Sequence, residues 1–98
     1  MNDFDYQQLD EIIHSRIRLA VMALLITVGE AEFNFLKDKV NTTDGNLSIH
    51  LRKLEDAGYI VVRKEFVDRK PQTKYKLVDK GRKAFANYFE RLEKMLRK

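Results

Sequence analysis

The chain has 98 residues, a net charge of +4 and no cysteine. That length suits one domain, and the missing cysteine removes a disulfide scaffold, a thiolate metal site and a cysteine nucleophile. The longest apolar run spans residues 19–26, far short of the ~20 residues needed to cross a bilayer.

The polar, acidic start "MNDFDYQQLDE" lacks the basic region and cleavage site of a secretory signal, so a cytoplasmic protein with no membrane partner is expected. Residues 1–30 carry two basic side chains against five acidic, residues 43–77 eight against five, and residues 78–98 seven against three. Positive charge gathered in this way suits a polyanionic partner, although a merely solvated basic surface would read the same.

In chain order, Tyr6, Leu9, Ile12 and Ile13 suggest a short helix over residues 5–14. Ser15 can cap a second helix over residues 16–28, whose "LAVMALLI" is apolar on almost every side and so expected at the centre, with Gly29 ending it. "EAEF" suggests an isolated strand. Asn34 is a candidate N-cap for a helix over residues 35–40, Asn41 a left-handed closing residue, and Thr42 with Thr43 the cap of the next helix, residues 44–57, which stops at Gly58.

"YIVVRKEF" and "QTKYKLV" then read as a hairpin joined by an exposed "VDRKP" turn that Pro71 would stiffen. Asp79 can cap a last helix over residues 80–97. The fold expected is mainly α with a small β-hairpin (α+β), a single domain over residues 1–98 with a helix-turn-helix at about 34–57, a wing at about 59–78 and a C-terminal helix at about 79–97.

A helix-turn-helix followed at once by a hairpin is the order of a winged helix. The text "TTDGNLSIHLRKLEDAGYI", with "DRKPQTKYKLVDKGRKAF" behind it, resembles the winged-helix transcriptional regulators related to the MarR and ArsR families. The resemblance covers residues 9–92, with Val78 standing where such sequences usually place threonine and Asp79 left to take over the cap. It implies a repressor-type regulator that binds double-stranded DNA as a homodimer, with the second helix of the pair in the major groove and the wing at the minor groove.

Projected at about 100° per residue, Leu47, Leu51 and Leu54 form the inward stripe of that second helix. Gly45, Asn46, Ser48, Ile49, Arg52 and Lys53 lie on the other side, behind Thr43 and Asp44 at the start. Arg52 and Lys53 can reach phosphates or a guanine edge, and Asn46 and Ser48 can hydrogen-bond bases or phosphates. Ile49 is either an ordinary exposed apolar residue or a contact for a thymine methyl. Gly45 either serves a local turn or lets the helix N-terminus approach a phosphate closely. His50, at the border of the stripe, reads as a packed histidine satisfied by a backbone carbonyl. With His14 the only other histidine, no metal site and no cofactor are expected.

Along the wing, Lys64, Arg69, Lys70 and Lys74 are candidate DNA contacts, Arg69 in the minor groove, unless they are ordinary solvating charges. Tyr75 and Leu77 should pack inward while Lys74 and Lys76 face solvent or DNA. Phe85, Tyr88, Phe89, Leu92, Met95 and Leu96 recur at helical spacing beyond what so small a core needs, and with Leu9 and Ile13 they form the expected dimer interface from N- and C-terminal dimerisation helices. The acidic Asp3, Asp5, Asp10 and Glu11 could meet Lys80, Arg82, Lys83, Arg91 and Lys94, within or across subunits. An unidentified small-molecule effector would have to act through the dimer interface or the groove between helices. No catalytic motif points to an enzyme. The alternative is a winged-helix module for a protein or RNA partner.

Overall fold

The computed structural model describes residues 5–97; Asp3 lies outside them. A single 3-10 turn, Tyr6–Gln8, is followed by α1 (Arg16–Val28), β1 (Glu30–Glu32), α2 (Phe33–Val40), α3 (Asp44–Asp56), β2 (Ile60–Val67), β3 (Lys70–Leu77) and α4 (Asp79–Leu96). Four helices thus accompany a three-stranded antiparallel sheet in the order β1-β3-β2. No helix among the described residues is long and apolar enough to cross a membrane.

The caps explain the helix boundaries. The Ser15 hydroxyl accepts from the Arg18 N–H, the Thr43 hydroxyl accepts from Asn46, and Asn41 closes α2 in the left-handed conformation at φ 58°, ψ 59°. Leu36, Leu47, Leu51 and Leu54 bury their side chains against Val21, Met22 and Leu25 of α1, with Ile60, Tyr75 and Leu77 completing the core from the sheet. Each such leucine contributes roughly 1.5–3 kcal/mol by leaving water.

Several local expectations are corrected. The N-terminal helix is one 3-10 turn, because Asp10 turns the chain by accepting from the N–H groups of Ile12 and Ile13. β1 is not isolated: Glu30, Ala31 and Glu32 pair with Lys76, Tyr75 and Lys74. α2 starts at Phe33 with Glu32 before it, without a side-chain cap and without Asn34 in that role. The wing turn is only Asp68 and Arg69, both at positive φ (53° and 68°), so Lys70 and Pro71 belong to β3. Val78 precedes α4 with no side-chain cap bond, and Asp79 sits in the first turn, where its charge opposes the helix dipole. α1 is also less enclosed than its composition suggests, since Ile26 and Val28 are exposed.

Residues 9–15 form a junction between α3 and α4. Arg18, itself buried, donates to the carbonyls of Ile12 and Glu11 and places Nη1 2.8 Å from Nδ1 of His50. The partner of His50 is therefore this guanidinium and not a backbone carbonyl. The guanidinium can only donate, so the ring accepts at Nδ1 and carries its proton on Nε2; burial, then the charges of Arg18 and Lys53, push the His50 pKa down from the ordinary imidazole value. Tyr59, just after α3, donates to Asp10, and its pKa is pushed up to about 12, chiefly by burial and then by that bond. His14 reaches the Tyr88 hydroxyl of α4 at 2.8 Å. α3 is thus held at its middle and its end by the segment that also grips α4.

Candidate nucleic-acid interface

Leu47, Leu51 and Leu54 are buried, which rotates Thr43, Asp44, Gly45, Asn46, Ser48, Ile49, Arg52 and Lys53 outward, all of them exposed. Ile49 is 58% exposed. Arg52 and Lys53 make no ion pair among the described residues, so their charges are free for a ligand. Asp44 is engaged by Lys37 at 2.8 Å, an ion pair from α2 to α3 that raises the Lys37 pKa, first through the hydrogen bond and then through charge. Lys37 had gone unnoticed in the sequence; its position one turn before Asn41 is the only signal there.

The sheet has two different faces. Strand alternation puts Val62, Lys64 and Phe66 with Tyr75, Thr73 and Pro71 on the face toward α3. A cleft of about 680 Å³ joins that face to α3, with Ser48, Arg52, Glu55 and Asp56 on one wall and Lys64 and Thr73 on the other. The opposite face carries Arg63, Glu65 and Lys74 with Glu30. Arg63 lies 3.0 Å from Glu30 and 3.1 Å from Glu65, and Lys74 lies 3.3 Å from Glu65. The hydrogen bond from Lys74 is the main reason that the Glu65 pKa falls below the usual carboxylate range.

The structure therefore brings Ser48, Arg52 and Lys64 together and leaves Lys74 apart, half-buried and engaged on the far side of the wing. Arg69 and Lys70 occupy the exposed tip. Arg69 holds a left-handed backbone that an L-residue adopts at a cost of roughly 1–2 kcal/mol, a position where glycine or asparagine would be expected on stability grounds alone.

Gly45 does not have a positive φ, and a Cβ built on it meets nothing within 4 Å. No turn requires a glycine there. Gly45→Ala is expected to leave the melting temperature unchanged or higher, by up to ~1 kcal/mol of helix propensity. Duplex affinity should nevertheless fall about tenfold, because the added methyl keeps the helix N-terminus from a phosphate. A loss of thermal stability on melting would show the glycine to be structural.

Of the residues expected at a dimer interface, Leu9, Ile13 and Tyr88 are instead buried in the core of the single chain, whereas Phe85, Leu92 and Met95 are partly covered and Phe89 and Leu96 are 49% and 77% exposed. Among the described residues no ion pair joins Asp5, Asp10 or Glu11 to α4. Arg91 instead donates to Gln8.

A helix pair whose second member presents a polar face with exposed Arg52 and Lys53 beside a β-ribbon defines a winged helix-turn-helix of the DNA-binding class. The family described as winged helix DNA-binding domain matches residues 17–96, and the chain belongs to that family. An uncharacterized protein of Methanocaldococcus jannaschii is 44% identical over 78 residues, covering 80% of this chain and 85% of that protein. The structure of a transcriptional regulator homologue from Pyrococcus horikoshii superposes with a TM-score of 0.88 at 26% identity, covering 98% of this chain and 95% of that one. NadR, solved in complex with 4-hydroxyphenylacetate, has the same fold at 22% identity and a TM-score of 0.70, over 87% of this chain and 62% of that one. The fold and family are those of DNA-binding transcriptional regulators.

Proposed function

We propose that this chain binds duplex DNA sequence-specifically as a homodimer and represses transcription by occupying promoter DNA. The observation that carries the reading is the exposed face of α3, where unpaired Arg52 and Lys53 follow the short Gly45, Asn46 and Ser48. The short residues let the helix enter the major groove, and the cations reach its walls. Thr43 holds the helix start and Asp44 its angle to α2. Ile49 meets a thymine methyl, and Lys64, Arg69 and Lys70 follow the backbone to the minor groove. Lys74 takes no part.

One recognition helix contacts too few base pairs for useful discrimination, which favours a twofold dimer reading two half-sites. The partly covered and exposed apolar residues of α4, Phe85, Phe89, Leu92, Met95 and Leu96, supply the seam. Leu9, Ile13 and Tyr88 support it from beneath. Repression by occlusion requires nothing beyond DNA binding; transcript yield from a template bearing the bound site should drop on adding the protein, and a rise would make it an activator.

A cleft of about 430 Å³ between Tyr59 and α4, edged by Lys80, Lys83, Asn87 and Arg91, is suited to a small anionic effector. It lies against the junction that grips α3. Adding small aromatic acids to a duplex titration, 4-hydroxyphenylacetate first, tests this: a shifted curve supports an effector there and an unmoved one argues against this class.

The electrostatic part of the proposal is tested by duplex binding across a salt series. The logarithm of the binding constant should fall linearly with log salt, by about 0.9 per phosphate contacted. No duplex binding at low salt would overturn the assignment.

A further inference from the structure

Phe66 is 78% exposed, the most exposed large apolar side chain among the described residues. It stands on the ribbon facing α3, two residues beyond Lys64 toward the tip, with Pro71 directly across. The two-residue turn makes Val67 and Lys70 the hydrogen-bonded pair that closes the loop. Phe66 and Pro71 are then a non-hydrogen-bonded pair with side chains at their closest, and the proline nitrogen points off the ladder. Pro71 can therefore buttress one flank of the ring while the rest stays in water. A phenylalanine serving only the hairpin would be covered, and this one is not.

The charges around it indicate what covers it. Lys64 shares its face of the ribbon and Arg69 and Lys70 lie at the tip beyond it, none of them in an ion pair among the described residues, and Asp68 is the one acid of the turn. Glu65 points to the opposite face and is engaged by Lys74 and Arg63. An apolar plate with one free cation on its own face and two more at the adjoining tip matches a surface of apolar sugar carbons lined by phosphates. We infer that Phe66, backed by Pro71, is a minor-groove contact residue that packs on deoxyribose edges, and inserts at a flexible step, where the wing meets DNA. The inference rests on the proposed DNA-binding function and adds to it an apolar wing contact selecting deformable flanking sequence.

The test compares wild-type, Phe66→Leu and Phe66→Ala on duplexes carrying 2-aminopurine at successive steps beside the bound site. Wild-type protein should raise the fluorescence at one flanking step as the base unstacks, and Phe66→Leu should keep part of that signal. Phe66→Ala should lose the signal and about tenfold in affinity, as expected for a ring that buries roughly half its surface on binding, with an unchanged circular dichroism melt. Wild-type binding with no unstacking and no difference between wild-type and Phe66→Ala overturns this inference alone. Failure of the wild-type protein to bind any duplex overturns it together with the function. A change in sedimentation on Phe66→Ala, with affinity per dimer unaltered, would assign the ring to a protein contact instead.

Discussion

Arg52→Ala is expected to weaken binding to a specific duplex by about 1–3 kcal/mol, a loss of roughly fivefold to 150-fold, while Lys74→Ala leaves affinity within about twofold. Both remove one positive charge, so a protein held to DNA by net charge alone would respond equally to the two. Arg52 projects unpaired from the outer face of α3 into the cleft shared with Lys64. Lys74 lies across the sheet, 3.3 Å from Glu65. Anisotropy titrations of the two variants at one fixed salt concentration separate these cases, and equal losses would contradict the interface drawn here. The Lys74 variant should instead show a small stability change, since its pair with Glu65 is part of a partly exposed network with Arg63 and Glu30.

Gly81→Ala is expected to be the most disruptive single methyl in the chain. Gly81 is buried in the first turn of α4, and a Cβ there would lie 2.3 Å from the Tyr59 carbonyl oxygen and 2.8 Å from Leu77 Cδ1. That carbonyl is fixed, because it accepts from the Val78 N–H at 3.1 Å, and the Tyr59 side chain is tied to Asp10. Neither neighbour can yield cheaply, so overpacking should cost ~1–3 kcal/mol. For a domain of this size that corresponds to a fall of roughly 5–20 °C in melting temperature. The close approach also sets the angle at which α4 leaves the domain, so Gly81→Ala should weaken any dimer built on α4 as well. A melting temperature within a degree or two of wild-type would refute the packing argument.

These two sites differ in how far the sequence discloses them. The start of α1, the end of α2 and the start of α3 were legible because their caps are local chemistry: Ser15, Asn41 and Thr43 act within a few residues of themselves, and their roles follow from residue type. The outward face of α3 was legible for the same reason, through the helical period. β1 was seen as a strand but not as a sheet member, because its partner β3 lies far along the chain. The wing turn was read too long, since Asp68 and Arg69 adopt positive φ without the glycine that would have marked a two-residue loop.

Lys74 marks a case where the signal was present. Alternation from the inward Tyr75 already put Lys74 on the outward face, and only the pairing register shows that Lys64 stands on the other face and that Glu65 is there to take the charge of Lys74. Arg18 was hidden differently, as the second of two arginines at the start of a largely apolar helix. Its role in joining residues 11 and 12 to His50 depends on side chains that meet only in the folded chain. Gly81 likewise gives no sign in the sequence that Tyr59 approaches it.

Selection of bound sequences from a random duplex library tests most directly the claim that two copies of α3 read DNA. The expected result is an inverted repeat whose half-site centres lie about 10 bp apart or a multiple of it, with thymine enriched where Ile49 meets the major groove. Recovery of no motif, or of a single unrepeated half-site, would contradict it.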